Sequence, residues 1–196
     1  MSLELLSTIG TLTTVVIVAA TAIAALVQLR HLRAGNQINA ILSIAELING
    51  KAFDDAMSLI GTNLADALED PAFRAYWESQ MRNETLPKID PTHQRVRTAV
   101  VTVANTYEQL GVLVRNGVID QHMFIEGFCA PVISLWHRLS SLTAFLREAD
   151  NDPALWENFE YLAVLSEDWL AQNTTTYPRD MRRLEIHNPW PPAAAR

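Results

Sequence analysis

Charge is missing from one long stretch of the chain. From Leu5 to Leu29 the sequence reads LLSTIGTLTTVVIVAATAIAALVQL, 25 residues bounded by Glu4 and Arg30. A bilayer core about 30 Å thick is crossed by roughly 20 helical residues, so the pattern predicts a transmembrane helix with length to spare. Beyond Arg33 the apolar positions become periodic. Ile38, Ile41, Leu42, Ala45 and Ile48 recur at helical spacing and predict that the first helix continues out of the membrane on one apolar face, with a bend near Gly35 and a stop near Gly50. A second helix carries Phe53, Met57, Ile60, Leu64 and Leu68.

Three further helices are expected to begin at a repeated device, DPAF at Asp70, DPTH at Asp90 and DPAL at Asp152. Asp accepts from the first free amides of a helix, and Pro fits the first turn because its missing N–H would have no partner there. The middle one opens the longest soluble helix, about 91–116, with Val96, Val100, Val103, Tyr107, Leu110 and Val114 facing inward. In RNGVID, Gly117 supplies a left-handed C-terminal residue, Arg115 places a cation in the last turn, and Asp120 caps the next helix. That helix reaches about residue 149, with a break or kink expected at Pro131; its apolar stripe runs through Val132, Ile133, Trp136, Leu139, Leu142 and Leu146. The last helix, from 153 to about 172, buries Leu155, Phe159, Leu162, Leu165 and Trp169.

The expected fold is therefore all-α, with one N-terminal transmembrane helix continuing into a cytoplasmic antiparallel bundle of about five helices. Residues 1–33 form the anchor and its flank, 34–173 the bundle, and 174–196 an extended Pro-containing tail. A cleaved signal peptide is the competing reading of the first segment. It would need a basic leading region, whereas the chain begins MSLEL. Arg30 and Arg33 follow the span and no Lys or Arg precedes it, so the positive-inside rule puts the N-terminus outside and the remainder in the cytoplasm at an inner membrane.

Within the span, Ser7, Thr11, Thr14, Val18, Thr21, Ala25 and Gln28 alternate in steps of four and three. They form one mostly small or hydroxylated stripe, opposite Leu5, Ile9, Leu12, Val16, Ile23 and Leu26. Small residues let helix backbones approach, so the stripe predicts a contact with a second copy or another membrane protein. A span rich in Thr and Ala also yields such a stripe by chance.

Composition adds exclusions. A net charge of −7 argues against nonspecific nucleic-acid binding. Cys129 is the single cysteine, so no intrachain disulfide can form. The five histidines are scattered, and His122 with Glu126 makes only two ligands, so no metal or other cofactor is expected. No phosphate-binding glycine loop or serine nucleophile elbow occurs, and no catalytic residues are assigned. Cys129 could be a nucleophile beside His137 if a kink at Pro131 brought them together, but a lone cysteine in an apolar helix is more often simply buried. Trp77, Trp136, Trp156 and Trp169 could converge, as a packed core rather than a ligand box. Two functional readings follow. One is a non-enzymatic interaction or assembly module whose partners are the bilayer and itself or another membrane protein. The other is a tethered sensor or enzyme with a pocket near Glu108, Arg115 and His122.

The span running into ALVQLRHLRAGNQINAIL, together with YEQLGVLVRNGVID, resembles a bacterial family of membrane-anchored helical proteins, domain of unknown function 4760. The resemblance covers the anchor, the juxtamembrane helix and the Tyr107–Asp120 joint. It implies an anchor, its orientation and a helical fold, and no catalytic residues.

Overall fold

The computed structural model describes residues 3–172, 175, 177 and 180–187, and of residues 4–6 the backbone alone. Among them are six helices and no strand: α1 (Leu3–Ile48), α2 (Lys51–Glu69), α3 (Pro71–Met81), α4 (Pro91–Arg115), α5 (Gln121–Asp150) and α6 (Glu157–Gln172). α2 packs on α4, α4 on α6 and α6 on α5, while α3 bridges α2 and α5.

The core forms on α4, where all six positions expected to face inward are buried. Tyr107 stacks on Phe159 of α6 with ring centroids 5.1 Å apart, and Phe53 of α2 meets it edge-on at 6.0 Å. Each such side chain contributes roughly 1.5–3 kcal/mol by leaving water, so this row joins three helices.

Local capping fixes the helix starts. Asp70 accepts from the Ala72 N–H at 2.8 Å and Asp90 from the Thr92 N–H at 2.7 Å. The amide bond from Thr92 also holds the Asp90 carboxyl below its usual range. The second Asp70 oxygen lies 2.9 Å from His93 Nδ1, so the starts of α3 and α4 are tied together.

α1 continues through Gly35 and α5 through Pro131 as single helices. Pro131 has no N–H to offer the Gly127 carbonyl, and packing of Val132, Leu135 and Leu139 holds the helix across that gap. Two expectations need correction. α6 begins at Glu157, not at 153. The Asp152 carboxylate accepts from the Ala154 N–H at 2.9 Å and closes a turn, after which Trp156 adopts a left-handed conformation at φ +55°. On α1, finally, the body covers only part of the expected stripe. Ile44 is buried with Ala40, Ile41 and Ile48 packed beside it, whereas Ile38 and Leu42 stand exposed. The C-terminal part of α1 thus has apolar residues on two sides and the body covers one.

Ser7–Ile48 of α1 is the one described helix long and apolar enough to cross a membrane, and none of its most apolar window is buried by the body. Those properties suit a membrane span and a signal sequence alike. Thr11, Thr14 and Thr21 of the small-residue stripe donate to the carbonyls of Ser7, Gly10 and Ile17, one turn back. Their hydroxyl protons are therefore satisfied within the helix, and the stripe offers small size rather than free donors.

Candidate functional site

The helix joint after α4 is built from its own residues. Gly117 takes φ +67°, its N–H donates to the Val114 carbonyl at 3.0 Å, and the Val118 N–H donates to Leu113 at 3.0 Å. These two bonds form the Schellman arrangement that satisfies the last carbonyls of a helix. Three residues on, Asp120 accepts from the Met123 N–H at 2.9 Å and starts α5.

The Glu108 carboxylate is taken up by the start of α6. One carboxylate oxygen accepts from the backbone N–H groups of Asn158 at 2.9 Å and Phe159 at 3.0 Å, and the other from the Asn158 side-chain amide. Helix α6 is thus capped from α4, across fifty residues of chain. The free amides of a helix start carry partial positive charge, and a carboxylate answers them as an Asp cap would. One turn further along α4, a Cβ added at Gly111 would fall against the Asn158 carbonyl oxygen, so glycine lets the two backbones meet. Arg115 reaches Glu157 in the same first turn of α6 at 3.5 Å; both side chains are about half exposed, so the pair contributes little. Trp156 Nε1–H donates to Asn105 at 2.9 Å and pins the preceding turn.

Of the proposed pocket, Glu108 and Arg115 therefore converge on the start of α6, while His122 does not join them. His122 is exposed, 3.5 Å from Glu126, in a shallow cleft with Trp169 and Gln172. Cys129 is buried, while His137 lies 3.0 Å from Glu167 on α6, so the two form no nucleophile pair. The tryptophans do not gather: Trp77 packs on Phe73, Trp136 on Phe159, Trp156 on Asn105, and Trp169 lies at the His122 cleft. No group of three or more His, Cys, Asp or Glu among the described residues could hold a metal ion.

Asn158 and Asn105 escape sequence reasoning. A usable signal existed at Glu108, which shares a helix face with Ala104 and Gly111, both buried. A carboxylate on such a face must find donors.

Among the described helices, two apolar surfaces stand out as uncovered. One is the outward side of α1. The other is an apolar cleft of about 310 Å³ between α1 and α4, lined by Ala40, Ile44, Leu47, Leu110, Leu113 and Val118 among others.

Neither a curated protein nor a solved structure matches the chain. A family model does, over residues 15–169, from within the apolar half of α1 almost to the end of α6. The chain belongs to the family described as domain of unknown function DUF4760.

Proposed function

We propose that this protein is a membrane-anchored, non-enzymatic assembly module that pairs with a second copy of itself along α1. The observation that carries the reading is the exposed side of that helix. The four-and-three alternation of Ser7, Thr11, Thr14, Val18, Thr21, Ala25 and Gln28 continues past the span through Leu32, Gly35, Asn39 and Leu42. All eleven are exposed. At 100° per residue, the later positions point away from Ala40, Ile41, Ile44 and Ile48, the side that meets the body. A spacing of 3.5 residues over five heptads is the period of a left-handed helix pair. In lipid the residues are small enough for close approach. Beyond it Leu32 and Leu42 supply apolar surface to bury, and Asn39 sits between them in the seam. A single Asn there weakens a helix pair but fixes its register. The positive flank of Arg30 and Arg33 supports a cytoplasmic body.

Mass measurement of the intact protein in mild detergent tests the reading. A dimer is expected, and a Gly35→Leu/Leu42→Arg variant should be monomeric. A wild-type chain that is strictly monomeric and brings no partner from its membrane would defeat it.

The ligand-sensor reading keeps one supporting feature, the α1–α4 cleft, whose volume lies near the lower limit for small-molecule sites. A thermal shift on adding a small molecule, abolished by Leu110→Trp, would favour it.

A further inference from the structure

We propose that the C-terminal tail is a second membrane contact, in which Arg182 and Arg183, with the exposed side chains of Met181, Leu184 and Ile186, lie on an anionic bilayer surface. The inference rests on the anchored reading above and adds a surface and a lipid class to it.

Charge separates the tail from everything before it. Residues 34–172 hold nineteen acids against nine bases, whereas residues 173–196 hold four arginines, Arg179, Arg182, Arg183 and Arg196, against two acids. The family match stops at residue 169, so the tail lies outside it. The tail is also apolar where it is most exposed: Met181, Leu184 and Ile186 stand open to solvent, Ile186 at 91%. Basic residues interleaved with large apolar ones suit the boundary between anionic headgroups and acyl chains.

A local turn organises this segment. Tyr177 Oη–H donates to the Arg182 carbonyl at 2.8 Å, and the Arg183 guanidinium sits 4.9 Å above the Tyr177 ring while bonding Thr175 Oγ1. Among the described residues, no hydrogen bond or ion pair joins 175–187 to the helices.

The tail also leaves the body at the right end. Gln172, the last residue of α6, shares a cleft with Asp120 and His122 at the start of α5. A few residues back, Gly117 and Val118 share another with Arg33 and Gln37 of α1. Residues 117–122 thus lie beside both the exit of α6 and the basic flank of the span. The same bilayer that holds α1 is then within reach, and each basic residue near an anionic surface strengthens association about fivefold.

The full chain in lipid vesicles provides the test. A spin label is placed at Ile186→Cys, and separately at Val16→Cys, each with Cys129→Ala. With about a third phosphatidylglycerol in the bilayer, the label at 186 should collide with oxygen and be shielded from an aqueous nickel chelate. With Arg182 and Arg183 both changed to Gln, association should fall about thirtyfold and the label become water-accessible, and neutral phosphatidylcholine should weaken the contact as well. A label at 186 open to the chelate in anionic vesicles overturns the proposal. So does one shielded from both reagents, which would place the tail in the α1–α4 cleft, and so does a lipid signature indifferent to charge. The label at 16 separates the two readings: lipid contact there with water contact at 186 defeats the tail alone, whereas water contact at 16 defeats the anchor.

Discussion

The Glu108 carboxylate accepts the backbone N–H of Phe159 at 3.0 Å, and by that bond the middle of α4 becomes the cap of α6. The same carboxylate holds Asn158 through both its backbone and its side chain. Three donors on one partly buried anion make this the most heavily bonded polar contact between helices in the body.

Removing that anion should loosen α6 before the rest of the body. Glu108→Ala is expected to cost about 2–3 kcal/mol, the range for hydrogen bonds to a charged group plus a lost cap. Glu108→Gln, which keeps one acceptor, should cost about half as much. Chemical denaturation gives the magnitude, and amide exchange at 158–162 should rise ahead of exchange in α4. Equal rises in both helices would refute the capping role.

Gly111 and Gly117 should respond differently to the same substitution. At Gly111 an added Cβ meets backbone of Asn158, which has no free rotation to escape, so Gly111→Ala should cost about 3 kcal/mol or more by pushing α6 away. At Gly117 the space is open and only the φ of +67° resists, so Gly117→Ala should cost about 1–2 kcal/mol. Thermal unfolding of the two variants ranks them, and the reverse order would contradict the described packing.

Tyr107 supplies a pH test. Its hydroxyl is buried with no hydrogen-bond partner among the described residues, and burial pushes its pKa up to about 12. A folded pKa above the unfolded one, near 10, means stability is intact below pH 10 and is lost as pH rises through the folded value. The loss between those limits is about 2–3 kcal/mol. Tyr107→Phe should remove much of this alkaline loss and leave neutral stability unchanged or raised by about 1 kcal/mol. Denaturation midpoints at about pH 8 and about pH 11 decide it; an unchanged alkaline slope in the variant would assign the loss elsewhere.

Gly35 separates helix stability from pairing. Nothing stands near an added Cβ there, so Gly35→Ala should raise helix stability by up to about 1 kcal/mol. If α1 pairs through this face, the larger Gly35→Leu should weaken the dimer while the body melts at an unchanged temperature. A joint loss of dimer and body stability would instead mean that Gly35 serves the fold.

Much of the fold was legible because its signals are local. Asp70, Asp90 and Asp120 bond amides two or three residues away, and Gly117 takes the conformation only glycine adopts cheaply. The six inward positions of α4 follow from period alone. Asp152 shows where local reading stops. It carries the same Asp-Pro signal and bonds the same kind of amide, yet a turn follows, because the cap that starts α6 belongs to Glu108, fifty residues earlier. The helix continues through Pro131 for a related reason: tertiary packing outweighs one missing helical bond. Ile38 and Leu42 show a third limit. An apolar stripe says that a face wants cover without saying which neighbour provides it, and on α1 the body took Ile41 and Ile48 and left Ile38 and Leu42 open. The contacts of Glu108 lay outside what spacing can show, since no periodicity records which helix start lies beside which carboxylate.

α1 spans 46 residues, about 69 Å at helical rise, and the body grips only its final dozen or so. It is a long shaft with a single bearing. Within one copy, a twist that reaches Ile44 and Ile48 passes to α2, which α1 contacts, and to the α1–α4 cleft lined by Leu110 and Leu113.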